Sequence, residues 1–333
     1  MTATGFDTAL TRHAGIEIPI VCGAMYPCGN PELVAAVSEA GGIGIVQPVT
    51  FAFVHRLDFR DGLRRVRSLT SKPIGMNALI EQSSRTYHER MVRWVDVALE
   101  EGVRFFVTSL GNPRWVVDRV APLGGIVYHD VTEAKWAAKG ADAGVHGLIA
   151  VNDRAGGHAG ARSAAALLDE LRPFELPVVC AGGIGDEADF ARALAQGYEG
   201  VQMGTRFIAT TECAASEAYK AAIVRASSSD VVLTDRLTGV PVSVLRTAYI
   251  ERTGTRAGFI GRALLRRRRT KHLMRTLYSL RSLWRLKRDA TRGSDADDYW
   301  QAGRSVDGVR AIEPAGDIVR RFALAATHSR QTS

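Results

Sequence analysis

PVVCAGGIGD, residues 177–186, is a short apolar run that closes on paired glycines, Gly182 and Gly183, before a helix expected to start near Asp186. GVQMGTR, residues 200–206, closes in the same way on Gly204 and Thr205. An apolar strand that ends on glycine and feeds a helix is the half-repeat of a parallel βα unit. Bare glycine amides at a strand end can face a phosphate with no side chain in the way, and a helix N-terminus adds a favourable dipole. Each glycine alone would equally serve a tight turn. Two such ends on successive strands favour a phosphate grip, which recurs after strands seven and eight of eightfold barrels.

The same rhythm extends towards the N-terminus. Strands are expected at 19–23, 43–46, 74–77, 105–108, 125–128, 147–151, 177–181 and 200–203. Between them lie helical patterns: Leu33, Val34, Val37 and Ala40 sit three or four apart after Pro31, and similar spacing recurs at 91–99, 131–138 and 190–194. The fold class is therefore α/β, a (βα)8 TIM barrel over residues 1–226. Ligands in such barrels bind at the C-terminal strand ends. That rule selects Met25, Gln47, Asn77, Ser109, His129, His158, Gly182, Gly183, Gly204 and Thr205.

After Thr210 the rhythm stops. A helix is expected at 216–226, a polar break at 227–230, and mainly helical chain at 246–292 with a glycine-rich interruption. Residues 227–313 thus read as an additional C-terminal helical domain capping one end of the strands. Residues 314–333 read as a helix returning to the barrel through Ile318, Phe322 and Leu324.

RAGGHAG, residues 154–160, follows the sixth strand. Gly156 and Gly157 permit a backbone to approach a flat ligand closely, and His158 projects from a loop with few steric neighbours. A histidine there can shuttle protons near neutral pH, or can simply hydrogen-bond within its loop.

Four stretches together resemble the nitronate monooxygenase family, formerly the 2-nitropropane dioxygenases, a group of FMN-dependent barrels. They are IPIVCGAM (18–25) with PELVAAVSEAGGIGIV (31–46), AGGHAG (155–160), PVVCAGGIGD with VQMGTRFIATTEC (201–213), and YWQAGRS (299–305). The resemblance implies FMN as cofactor, its phosphate on Gly182, Gly183, Gly204 and Thr205 and its ring near Ala24, Met25, Asn77 and Gly157. His158 matches the family's catalytic histidine. In that family it takes the α-proton of a nitroalkane, the nitronate passes an electron to FMN, and O2 captures the pair to give a carbonyl compound and nitrite. The same fold and histidine motif are also similar to NADH:quinone reductases and FMN-dependent enoyl-acyl-carrier-protein reductases, so NAD(P)H, a quinone or an enoyl thioester stand beside a nitronate as small-molecule substrates. His129 and Asp130 occupy the place where some relatives carry a lysine near the flavin, which is a departure.

Composition sets the outer limits. With 46% hydrophobic and 23% charged residues in 333, the chain is ordinary for a globular protein. No apolar run approaches the roughly 20 residues that span a bilayer, and the N-terminus lacks a secretory layout, so a cytoplasmic address is expected. Cys22, Cys28, Cys180 and Cys213 show no metal-ligand spacing, and they read as reduced thiols without metal. The net charge of +8 is concentrated: between Arg262 and Arg292 stand twelve Lys or Arg and one acid, Asp289. Within it Leu277, Leu280 and Trp284 alternate with arginines as in a basic amphipathic helix. Such a helix either packs its apolar stripe on the barrel or binds an acidic partner, nucleic acid or an anionic membrane surface. A homodimer is left open.

Overall fold

The computed structural model describes residues 5–81, 84–236, 241–256 and 299–331. Eight strands alternate with helices: α1 (Ala9–Ala14), β1 (Ile20–Cys22), α2 (Pro31–Glu39), β2 (Ile43–Val46), α3 (Phe59–Leu69), β3 (Ile74–Leu79), α4 (Arg85–Glu100), β4 (Phe105–Ser109), α5 (Arg114–Val120), β5 (Ile126–Val131), α6 (Ala134–Asp142), β6 (Gly147–Val151), α7 (Ala164–Leu171), β7 (Val178–Ala181), α8 (Glu187–Ala195) and β8 (Gly200–Met203). All neighbours are parallel, and β1 pairs with β8 with Val21 opposite Gln202, which closes the barrel.

Alternation along each strand explains the packing. Val21, Ile45, Val107, Tyr128, Ile149 and Val179 fill the interior, while Cys22, Val46, Met76, Phe106, Leu148 and Cys180 face the helices. Leu10 and Ala14 of α1 join the interior cluster, and His13 Nδ1 lies 3.1 Å from the Tyr128 hydroxyl. The first helix thus plugs the N-terminal end of the barrel and leaves the C-terminal end as the open mouth. At that end Asp186 caps α8, its side chain accepting the Asp189 N–H at 2.9 Å.

Beyond β8 come α9 (Thr205–Ile208), α10 (Glu217–Arg225), β9 (Val231–Thr234), β10 (Val242–Leu245), α11 (Ala248–Thr253) and α12 (Ala315–Gln331). Of the helical cap expected over 227–313, the described residues cover 227–236, 241–256 and 299–313, and they hold two strands beside α11. β9 and β10 form an antiparallel pair with Val242 opposite Thr234, and no separate helical domain shows among the described residues. The basic stretch 262–292 lies outside them. Helix α12 packs on α8 and α2. Ile318 and Phe322 are buried as expected, whereas Leu324 is 59% exposed, because two residues on from Phe322 a helix presents its opposite face. The four cysteines are buried and free. Among the described residues no helix is long and apolar enough to cross a membrane.

Candidate active site at the mouth of the barrel

Asn152, wholly buried just past β6, organises the mouth. Its Nδ2 donates to the Gly182 carbonyl at 2.9 Å, its Oδ1 accepts from the Arg154 N–H at 2.9 Å, and its carbonyl accepts from the Gly160 N–H at 3.1 Å. One side chain thereby ties the histidine loop to the turn after β7. Sequence reasoning missed it, because a pinning asparagine and a solvated one look alike in a single sequence.

The four phosphate candidates prove to be of two kinds. Gly182 and Gly183 have φ of 116° and 80°, a region that favours glycine. A Cβ on Gly182 would stand 2.3 Å from Asn152 Oδ1 and 2.6 Å from the Ala155 nitrogen, so this glycine lets the two turns touch. A Cβ on Gly183 would stand 2.7 Å from Arg154 Nε, which places a guanidinium against the same turn. Sequence reasoning had given Arg154 no role. Gly204, at φ −114°, has an ordinary backbone. A Cβ there would meet only the Met25 side chain, at 3.5 Å, and the space before it is otherwise open. The Thr205 hydroxyl accepts from the Gly303 N–H at 2.9 Å and keeps its own hydrogen to donate.

The histidine loop is clamped from far along the chain. Gly156 lies against Gly303: a Cβ on Gly156 would come 3.0 Å from the Gly303 nitrogen, and one on Gly303 would come 2.6 Å from the Gly156 nitrogen. Gly156 therefore serves backbone packing. The carbonyl of Gly157, at φ 66°, accepts the Ser243 N–H at 2.8 Å, and Val244 bridges Gln301. Strand β10 is sandwiched between the AGGHAG loop and the segment 299–305. His158 is exposed within this mouth. The protein mass around it costs the imidazolium hydration and holds its pKa below the ordinary histidine value.

The interior beneath the mouth is polar. Alternation carries Asn77 of β3, Asp130 of β5, Gln202 of β8 and Gln47, just past β2, inward. Asn77 and Asp130 lie within their strands rather than past them, since β3 and β5 run to Leu79 and Val131. Gln47 Oε1, Asp130 Oδ1 and Gln202 Oε1 are buried without a hydrogen-bond partner. Burial pushes the Asp130 carboxyl up to about 7, against a hydrogen bond from the Gln202 amide. His129 does not join this group. It faces the helix layer, with Nδ1 2.9 Å from Thr108 Oγ1 and its ring against Gly140 of α6, and burial holds its pKa down to about 4. Ala24, partly buried, packs on the interior cluster beside Met25.

An open cradle at Gly204, amides and a guanidinium at the neighbouring turn, and unsatisfied acceptors on the floor fit a ligand with a phosphate at one end and a flat, polar ring at the other. That combination, with an exposed histidine on a loop at the carboxyl end of a closed parallel barrel, is the setting of a TIM-barrel oxidoreductase. Comparison narrows the class. The sequence profile of the nitronate monooxygenase family matches residues 7–324. The chain belongs to that family, which is flavin-dependent in general. A 5-hydroxy-7a-methyl-1-oxo-octahydro-1H-indene-4-carboxyl-CoA dehydrogenase of Mycobacterium tuberculosis is 32% identical over 263 residues, 77% of this chain and 72% of that protein. A probable nitronate monooxygenase of Staphylococcus saprophyticus is 28% identical over 291 residues, 74% of this chain and 80% of that protein. The solved structure of FabK from Thermotoga maritima superposes with a TM-score of 0.80 at 29% identity and covers 98% of each chain.

Proposed function

We propose that this protein is an FMN-dependent oxidoreductase acting on a carbon acid, with alkyl nitronates and their parent nitroalkanes as first substrate class and O2 as acceptor. The observation that carries this reading is His158, exposed at the mouth with its pKa held below the ordinary histidine value, beside a turn where Gly204 leaves open space before its amide. Gly182, Gly183, Gly204 and Thr205 would hold the phosphate, assisted by Arg154. Ala24, Met25, Asn77 and Gly157 would border the ring. Bound there, FMN supplies the electron-accepting chemistry. His158 takes the proton from the carbon next to the nitro group, and Asn152 fixes the loop from which it reaches.

A second reading has its own support. A cavity of about 690 Å³ opens beside the histidine loop, and its lining includes Ala159, Leu233, Ile250, Arg246 and Arg304. That volume far exceeds a nitroalkane; its apolar walls suit an acyl chain, and its two arginines, set beside Asp153 and Glu251, suit a polar handle on that chain. The Mycobacterium tuberculosis relative is a carboxyl-CoA dehydrogenase. Both readings use the same proton abstraction and differ in substrate and acceptor. Anaerobic mixing of the purified yellow protein with a nitronate, an acyl-CoA, NADH or NADPH separates them by which one bleaches the flavin. Bleaching by the nitronate supports the first reading, and bleaching by the thioester or a nicotinamide alone overturns it. Protein that is colourless and takes up no flavin ends both.

Gly204 gives a cleaner check on the cradle. Gly204→Ala adds one carbon in ordinary contact with Met25 and strains no dihedral. The variant should melt within about 0.5 kcal/mol of the parent, yet bind FMN at least about tenfold more weakly, because the added methyl fills the space before the amide. Fluorescence quenching of added FMN measures this, and unaltered affinity removes Gly204 from the cradle.

A further inference from the structure

Asp130 and Gln202 both turn inward, from strands β5 and β8 that are not neighbours in the sheet, and the Gln202 amide acts on the Asp130 carboxyl across the interior of the barrel. Gln202 in turn lies over the first strand's end, where a Cβ on Gly23 would stand 3.1 Å from its Cγ. The carboxyl is therefore held centrally, with Oδ1 sealed and unpartnered. Asp130 has no part in the proton abstraction assigned to His158.

We propose that Asp130 is a contact of the flavin ring that holds it in the protonated state, so that FMN uptake carries a proton from solvent into the barrel. The inference rests on the FMN reading above. A flat ligand over this floor strips the remaining water from the carboxyl. As a carboxylate it would face the ring as uncompensated charge; as a neutral acid it donates a hydrogen bond to a ring acceptor. Among the described residues no positive charge acts on it. The inward positions around it are Asn77 of β3, Val107 and Ser109 of β4, Ile149 and Val151 of β6, Ala181 of β7, and Gln202, none of which carries a charge. The nearby titratable groups are Tyr128 lower in the interior, His129 turned out to the helices, and His158 on the loop above. Burial, against the opposing pull of the Gln202 amide, already brings the free carboxyl to about 7. Further desolvation by the ligand raises it again, and linkage then requires protons to be taken up on binding above neutral pH.

The test is calorimetric titration of FMN into flavin-free protein at pH 8 in two buffers of different ionisation enthalpy, with parent and Asp130→Asn. The parent should take up at least about half a proton more than Asp130→Asn does, and its affinity should fall about tenfold from pH 6.5 to 8.5 relative to that of Asp130→Asn. The FMN phosphate is common to both and cancels. Equal proton uptake overturns the inference while leaving the FMN reading intact; a parent that binds no flavin overturns both. Gln202→Leu is the second probe. It removes the amide that favours the carboxylate, so uptake should persist to higher pH than in the parent, and unchanged uptake again counts against the proposal. Chemical denaturation of the flavin-free forms gives an independent readout. The folded acid keeps a proton that the unfolded chain has released between about 4 and 7, so this group's contribution to stability is full below about 4 and is lost as pH rises to 7. Asp130→Asn should match the parent near pH 4 and gain on it towards pH 8.

Discussion

His158→Ala is expected to lower turnover of a neutral nitroalkane by at least about a hundredfold, while the variant still purifies yellow. The side chain stands on a loop fixed by Asn152, Ser243 and Gly303 through backbone and asparagine bonds, none of which uses the imidazole. Truncation should therefore leave those loop bonds in place and remove the group proposed to accept the proton. Because the pKa of His158 is depressed, the base is present throughout the neutral range and is lost as pH falls through a value below 6.5. The parent's rate on a nitroalkane should show an acid limb there, and the variant should lack it. A preformed nitronate needs no deprotonation, so its turnover should suffer much less. Equal losses on nitroalkane and nitronate, measured side by side by stopped-flow bleaching, would withdraw the assignment of His158 as base.

Glu313→Ala is expected to cost about 3–5 kcal/mol of stability. Arg206, only 1% exposed on α9, pairs with Glu313, which also holds Arg321. Arg206 Nη1 donates to the carbonyls of Ala209 and Ala311 at 3.3 and 3.4 Å, and Nε has no partner. Burial already lowers its pKa, against the pull of Glu313. Removing the carboxylate leaves a buried guanidinium with only the two long carbonyl contacts of Nη1. The double variant Arg206→Met with Glu313→Ala removes both charges and should recover part of the loss. Urea midpoints report both effects. A single variant within about 1 kcal/mol of the parent would show that this pair does not hold the turn after β8 to the chain leading into α12.

The barrel is legible because each strand ends in glycine or a small polar residue and each helix keeps its apolar spacing, so local pattern and global fold agree. The errors fall where that agreement fails. β5 reads as ending at Tyr128 because His129 and Asp130 look like loop residues, yet strand alternation sends one outward to Thr108 and the other inward to Gln202. β9 and β10 escape the reading because four-residue apolar runs, VVLT and VSVL, carry too little periodicity to compete with the helical pattern that follows. Their β-branched residues are the available signal. Of the candidate site, His158, Met25 and the glycines of the two turns do converge on the mouth. What no single sequence could say is which glycines open space and which close it: Gly204 faces room, whereas Gly156 and Gly182 press against other backbone. Arg154, Asn152 and the Asp130–Gln202 pair become visible only when distant strands are brought together.

The sandwich of Gly157, Ser243 and Gln301 also imposes an order in time. A ribosome releases all eight staves of the barrel roughly a hundred residues before it releases Gln301, so the nascent barrel exists for a while with its histidine loop unclamped. Maturation of the catalytic end is thus postponed until synthesis is nearly done, and a chain interrupted before that point would keep its staves and lack a finished mouth.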